Sequence, residues 1–248
     1  MIIPTINWIW FHQRFQPKLW TLALAALFLL LLAAACAPPP MQSQARAYSE
    51  RAIANLRAGD VDRALVAVEK ALALEPDLPQ ALYARAAIYR VQKEYTAALA
   101  DLKRVIDLAP EEIQGYMTLG LTYQELGDLP QSIATYEQAL ALDPENANIY
   151  NNICWAYGTF NQPEQGLEYC ERAVELRADP YIHDSRGLVY ALLGDYGNAI
   201  IDFTIYINAY ERTNGGRPSA SVELRKGWIK AMQRGENPFT QEVLEALR

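Results

Sequence analysis

The reactive side chains of the sequence are few. It contains three cysteines, Cys36, Cys154 and Cys170, and two histidines. A cysteine thiol can form a disulfide or bind a metal, and histidine is the commonest general acid–base residue. His183 falls in a column of aromatic residues, where packing accounts for it. No His–Cys cluster has metal-ligand spacing, and no glycine-rich loop follows a strand pattern. The sequence therefore predicts no enzyme activity, no metal and no cofactor.

Cys154 and Cys170 are spaced for a bond with each other. Each lies eight residues from Gln162, one before it and one after it. If Gln162 lies in the turn of an antiparallel helical hairpin, the two thiols are level on facing helices. A disulfide is then feasible in an oxidising compartment. Two small buried thiols would fit the same positions, so both interpretations stay open.

A 34-residue repeat must position these residues. Pro76, Pro110 and Pro144 are 34 residues apart, and each closes a phrase of the same shape. Small residues form one aligned column at Ala52, Ala86, Gly120, Cys154 and Gly187, and turn residues form another at Gly59, Lys93, Gly127, Asn161 and Gly194. A fixed period of this length is typical of one structural unit stacked several times.

Apolar residues recur within each unit at steps of three and four. In the third unit, Leu119 and Tyr123 precede the turn at Gly127, and Tyr136 and Leu140 follow it. This period predicts two short antiparallel helices per unit, closed by a proline that cannot continue a helix. The fold class is therefore an all-α solenoid of five units. Their ranges are 45–78, 79–112, 113–146, 147–179 and 180–213.

The columns resemble the tetratricopeptide repeat (TPR). The third unit carries the pattern at Tyr116, Leu119-Gly120, Tyr123, Gly127-Asp128, Tyr136, Ala139 and Pro144. The resemblance covers about residues 45–213 and implies a right-handed α-solenoid whose first helices line a groove that binds extended peptides or helices. Carried over column by column, the lining residues of that groove are Tyr83, Ala87, Met117, Leu121, Asn148, Asn151, Asn152, Trp155, Asp184 and Leu188.

The lining residues suggest a peptide ligand. An asparagine side chain both donates and accepts, so it can pair with a peptide backbone of any sequence, and Trp155 and Tyr83 would be rigid anchors. The alternative is that Trp155 packs against the neighbouring unit and the asparagines only solvate the surface. The carboxylate clamp, by which some TPR proteins hold chaperone C-termini, is not matched. Its basic columns hold Tyr83, Asn148 and Asn152, so a cytosolic chaperone is not the predicted partner.

The first 36 residues have the pattern of an export signal. Arg14 and Lys18 precede an uncharged run at residues 19–35, and Ala33-Ala34-Ala35-Cys36 resembles the bacterial lipoprotein box. The resemblance implies lipidation and cleavage at Cys36, with an extended proline-rich spacer at 37–44. The alternative is an uncleaved membrane anchor, since the run is almost long enough to span a bilayer. Both place the repeats outside the cytoplasm, tethered to a membrane.

The charge balance excludes a nucleic-acid partner. The chain has 22 basic and 29 acidic residues, a net charge of −7. Removal of residues 1–36 leaves 20 basic and 29 acidic residues, a net charge of −9. Nucleic-acid binding requires a basic surface instead.

Residues 214–248 follow the repeats as a loop and two amphipathic helices. The first helix, near residues 221–234, carries a basic row at Lys226, Lys230 and Arg234. We interpret the helices as a cap over the end of the solenoid; contact of the basic row with anionic lipid or cell-wall polymer is the alternative.

The sequence as a whole predicts an extracytoplasmic, membrane-anchored TPR scaffold that mediates protein–protein interaction in envelope complexes. The partner would be a protein or peptide, and the membrane contact would be the lipid anchor. The alternative is a self-associating structural module, a homo-oligomer with no peptide ligand.

Overall fold

The computed structural model describes residues 41–213, 215, 217 and 219–248. These residues form helices and contain no strand, which confirms the all-α fold class. The helices are α1 Met41–Arg57, α2 Val61–Leu74, α3 Pro79–Val91, α4 Tyr95–Leu108, α5 Ile113–Leu126, α6 Leu129–Leu142, α7 Ala147–Thr159, α8 Pro163–Leu176, α9 Pro180–Leu192, α10 Tyr196–Thr213, α11 Ala220–Gln233 and α12 Gln241–Leu247. None of the helices in this described part is long and apolar enough to cross a membrane. The predicted signal, the uncharged run and Cys36 lie outside the described residues.

Consecutive helices pair into hairpins joined by one kind of turn. The turn column takes a left-handed backbone in every pair, at Gly59, Lys93, Gly127, Asn161 and Gly194. Glycine adopts this conformation without strain, and asparagine tolerates it better than most residues. Asp128 then begins α6 by accepting a hydrogen bond from the backbone N–H of Gln131. The turn residues thus direct each second helix back along the first.

Residues 16 positions apart lie level across each hairpin. In the third hairpin, α5–α6, a Cβ added to Gly120 would lie 2.6 Å from the ring of Tyr136, which is fully buried. In the fourth, α7–α8, the same two columns hold Cys154 and Cys170. In the fifth, α9–α10, a Cβ on Gly187 would lie 3.1 Å from the buried Phe203. A small residue opposite a large one therefore lets the helices approach closely.

First helices of neighbouring hairpins contact each other through residues 35 positions apart. The hydroxyls of Tyr83 on α3 and Thr118 on α5 lie 3.0 Å apart. Arg90 on α3 forms a bidentate ion pair with Glu125 on α5 at 2.8 and 2.9 Å. These polar contacts join successive units along one face, beside the apolar core between them.

The solenoid begins earlier than the sequence suggested. Helix α1 starts at Met41, so the prediction of an extended spacer is wrong for residues 41–44. Met41-Gln-Ser-Gln44 contains no proline or glycine, and methionine and glutamine are good helix formers. Residues 37–40 of the predicted spacer lie outside the described part.

Helices α11 and α12 close the other end of the solenoid. Trp228, Met232, Phe239 and Leu244 pack with Phe203 of the fifth hairpin in one buried cluster. The predicted basic row is largely neutralised: Lys226 contacts Glu211 and Glu223, and Arg234 contacts Glu236. This arrangement is that of a cap, and it leaves little net positive charge for an anionic surface.

Candidate functional site

The first helices of the second, third and fourth hairpins share a half-buried face. Tyr83 and Ala87 on α3, Met117 and Leu121 on α5, and Trp155 on α7 are all partly exposed. Residues four apart on a helix lie on the same face, so α3 and α5 each contribute a pair at matching positions. We call the surface that carries these five residues the groove face. It is an apolar strip across three successive units.

Polar groups along the groove face are mostly engaged within the protein. The Tyr83 hydroxyl meets Thr118 and also accepts from the side-chain amide of Gln114 at 3.3 Å. Asn148 accepts a hydrogen bond from the guanidinium of Arg177. The side-chain oxygen of Asn151 is buried and meets no hydrogen-bond partner among the described residues. An unpaired buried carbonyl is costly, so Asn151 lowers the stability of α7 rather than offering an accessible acceptor.

Trp155 packs against the neighbouring unit and the cap. It contacts the buried cluster that contains Leu188 and Trp228. This is the alternative that the sequence left open for Trp155, although the residue keeps a partly exposed surface. Trp155 therefore forms the wall where the apolar strip meets the cap.

The prediction that Asp184 and Leu188 line an open groove is wrong. Leu188 is fully buried, and Asp184 forms a bidentate ion pair with Arg225 of α11 at 2.6 and 2.9 Å. Helix α11 stacks on α9 as a further first helix would, so it covers these positions. Burial raises the pKa of Asp184, against the opposing effect of the Arg225 guanidinium. The accessible strip therefore ends at the fourth hairpin.

Cys154 and Cys170 are joined by a disulfide in this structure, with 4.9 Å between their Cα atoms. Both residues are fully buried between α7 and α8. The bond lies behind the groove face and fastens the hairpin that presents Asn148, Asn151, Asn152 and Trp155.

His183 belongs to an ion-pair network of the fifth hairpin. Its Nδ1 lies 2.7 Å from Asp202, whose carboxylate also receives two bonds from Arg186 at 2.8 and 2.9 Å. Hydrogen bonding to Asp202 raises the pKa of the Arg186 guanidinium. The residue was expected to pack among aromatics, and it instead hydrogen-bonds to a buried carboxylate whose charge is paired with Arg186. The residues that the structure describes contain no cluster of metal-ligating side chains.

The contacts between first helices are the part of the site that the sequence analysis missed. Tyr83–Thr118, Arg90–Glu125 and Gln124–Thr159 are each separated by 35 residues. That separation is one residue more than the repeat period. A search of the sequence for complementary polar residues 35 positions apart could have found these contacts.

Comparison with known families and proteins identifies the repeats. Family models described as "Tetratricopeptide repeat" match residues 44–113 and 147–180, and one described as "TPR repeat" matches residues 120–158. Together they cover residues 44–113 and 120–180, which include every residue of the groove face except Met117.

The chain is similar to parts of longer curated proteins. It is 30% identical over 145 residues to the heat shock protein STI1 of Saccharomyces cerevisiae, covering 56% of this chain and 24% of that protein. It is 34% identical over 110 residues to the Hsp70-Hsp90 organizing protein of Triticum aestivum, covering 44% and 18%. The chain thus spans a quarter or less of these two relatives.

Solved structures share the fold at low identity. A thermophilic TPR protein from Thermus thermophilus has a TM-score of 0.61 at 20% identity, over 76% of this chain and 99% of that one. The pilF protein of Pseudomonas aeruginosa has a TM-score of 0.63 at 17% identity, over 83% and 89%. The solved structures share the helical solenoid, and the family models show that the chain contains tetratricopeptide repeats.

Proposed function

We propose that the chain is an exported, membrane-anchored scaffold whose groove face binds a protein or peptide partner in an envelope complex. The observation that carries the proposal is the apolar strip of Tyr83, Ala87, Met117, Leu121 and Trp155, left partly exposed on three successive first helices. Solenoid repeats use extended surfaces of this kind for binding, and partly exposed aromatic residues are frequent anchors at interfaces.

The shape of the strip favours an extended segment or a helix over a small molecule. It crosses three units and is bounded by the cap at Trp155, and Asn151 and Asn152 stand beside it. In this chain Tyr83, Asn148 and Asn152 occupy the columns that are basic in the carboxylate clamp. We therefore propose a ligand other than a chaperone carboxyl terminus.

Two leucines on α5 provide a matched test of the groove face. Leu121 belongs to it, whereas Leu126 is 46% exposed at the end of the same helix and lies outside it. The full chain would be cross-linked in membranes of its host, and bound proteins would be quantified by mass spectrometry. A partner lost with Leu121→Asp and kept with Leu126→Asp supports the proposal. Equal recovery with both variants, at unchanged melting temperature, contradicts it.

The membrane anchor is proposed from Ala33-Ala34-Ala35-Cys36 and the preceding apolar run. Each acyl methylene buried in a bilayer contributes about 0.8 kcal/mol to the free energy of membrane binding. Two or more acyl chains would therefore anchor the protein firmly. Labelling of cells with radioactive palmitate should mark the wild-type chain and not Cys36→Ser. If Cys36→Ser is labelled equally or keeps an identical cleaved mass, lipidation at Cys36 is wrong. An intact amino terminus on the membrane-bound wild type would indicate the uncleaved anchor instead.

Self-association is the competing function. Light scattering of the full chain in detergent at two concentrations separates the two functions. An adaptor keeps the mass of one chain at both concentrations, whereas a self-assembling module gains mass with concentration.

A further inference from the structure

In three hairpins, the tyrosine at one repeat position has a cationic side chain over its ring. Arg85 lies over Tyr89 at 5.9 Å, Lys103 over Tyr123 at 5.8 Å, and Arg186 over Tyr190 at 5.4 Å. In the second and fifth hairpins the same arginine also donates two hydrogen bonds to a buried aspartate, Arg85 to Asp101 and Arg186 to Asp202. The fold thus repeats an arrangement in which a guanidinium lies between a tyrosine ring and a carboxylate.

The fourth hairpin keeps the tyrosine of this arrangement but not its arginine or its aspartate, whose place is taken by Tyr169. Its tyrosine in this column is Tyr157, and Ile153 occupies the position of Arg85 and Arg186. The ring of Tyr157 lies 6.0 Å from that of Tyr169, which lies 6.2 Å from that of Tyr150. Among the described residues no cation is placed over Tyr157. Three tyrosine rings therefore stand side by side in the fourth hairpin, where the second, third and fifth hairpins pair one ring with a cation.

Two of these rings, those of Tyr150 and Tyr169, border an open cleft with an acidic rim. The cleft has a volume of about 550 Å³ and is lined by Tyr150 and Tyr169, with Glu168, Glu171 and Glu175 at its edge. All three glutamates are exposed. Arg172 also lines the cleft, where it pairs with Glu175 at 3.1 Å and interacts with Tyr150. The three carboxylates outnumber this one guanidinium, so the rim of the cleft keeps a net negative charge. Burial raises the pKa values of Tyr157 and Tyr169, so both rings stay neutral and keep their electron-rich faces at neutral pH.

We propose that this cleft binds an arginine side chain from a basic segment of a partner protein. The ligand would place its guanidinium against Tyr150 and Tyr169 and donate to Glu168 or Glu171. Arginine fits better than lysine because its planar guanidinium stacks on aromatic rings and bonds carboxylates in pairs. Arg172 in the same cleft, and Arg85 and Arg186 in other hairpins, make contacts of this kind within the chain.

The cleft is separate from the groove face. Every lining residue except Tyr150 comes from the second helices α6 and α8, and Tyr150, on the first helix α7, is not one of the five residues of the groove face. The proposal therefore stands independently of the proposed function. A partner could be held at one surface without the other.

The acidic rim can be tested with a fluorescein-labelled hexaarginine peptide and the full chain in detergent, by fluorescence anisotropy. The site variant carries Glu168→Gln, Glu171→Gln and Glu175→Gln. The control variant carries Glu111→Gln, Glu145→Gln and Glu242→Gln, which remove equal charge from exposed positions elsewhere. We expect the site variant to bind about tenfold more weakly and the control within about twofold of wild type. Equal losses in the two variants would overturn the proposal, because attraction would then reflect only net charge.

The aromatic wall needs a second pair of variants. Tyr150→Leu should weaken hexaarginine binding about fivefold, and Tyr150→Phe should bind like wild type because it keeps the ring. Hexalysine should bind wild type more weakly than hexaarginine does. Equal affinities of Tyr150→Leu and Tyr150→Phe, both folded by circular dichroism, would overturn the role of the ring. No measurable binding of hexaarginine to wild type would overturn the site itself.

Discussion

The third and fourth hairpins hold their two helices close together by different contacts at the same two positions. Both place two residues level across the hairpin, 16 positions apart. In the third, Tyr136 fills the space that Gly120 leaves open, and the contact is purely steric. In the fourth, Cys154 and Cys170 occupy these columns and form a covalent bond over a Cα separation of 4.9 Å. The comparison teaches that the turn and the closely packed helices set the backbone of the hairpin. The contact between the two helices can be either steric or covalent.

Removal of the large partner in the third hairpin should have the largest effect. Tyr136 is fully buried, so Tyr136→Ala leaves a cavity under Gly120 and should lower the free energy of unfolding by about 3–5 kcal/mol. Urea denaturation followed by circular dichroism measures this loss. A loss below about 1 kcal/mol would mean that the neighbouring helices collapse into the space, contrary to the packing described.

Reduction of the fourth hairpin tests the covalent fastening. A closed loop of this size should contribute about 3 kcal/mol through the entropy of the unfolded chain. We expect a reductant to lower the melting temperature of the wild type and to leave a Cys154→Ala/Cys170→Ala variant unchanged. Thiol titration of the unfolded, unreduced protein provides the direct check. Two reactive thiols besides Cys36 would show that the cysteines are only packed together.

Addition of one methyl group to the third hairpin sharpens the comparison. The Cβ of Gly120→Ala would lie 2.6 Å from the Tyr136 ring, which is fully buried, so we expect a loss of about 1–3 kcal/mol. Gly227→Ala on α11 is the matched control, because its Cβ would meet nothing within 4 Å. The control should be neutral or stabilise the protein slightly through better helix propensity. Similar effects of both substitutions in urea titrations would count against the close approach of α5 and α6.

Alkaline pH should weaken the third hairpin by a smaller amount. Burial raises the pKa of Tyr136 above its ordinary value. Above about pH 10 the unfolded chain therefore loses this proton while the folded chain keeps it, and stability falls as pH rises. Tyr136→Phe should reduce that fall by less than about 1 kcal/mol near pH 10.5. Urea midpoints of both proteins at neutral and alkaline pH measure the difference; parallel curves would argue against a buried hydroxyl.

The sequence predicted the parts of the fold that lie within one unit. The turn column, the two helix stripes and the level of Cys154 with Cys170 all follow from positions inside a single hairpin. The contacts between units were harder, because they depend on the angle at which one hairpin stacks on the next. The burial of Asp184 under Arg225 is the clearest case. The two residues lie on different helices, and the repeat pattern did not show how α11 would align with the fifth hairpin. For the same reason the sequence could not decide whether Trp155 faces the groove or the cap.

The disulfide also limits how far the chain can be drawn out under force. Pulling on the two ends would unravel most hairpins to their full extended length of about 3.4 Å per residue. The loop between Cys154 and Cys170 has a sequence separation of 16 and would stay closed. The fully stretched chain is therefore shorter by about 50 Å than one with reduced cysteines. For a protein tethered at one end and loaded at the other, the bond therefore lowers the greatest distance that the two ends can reach.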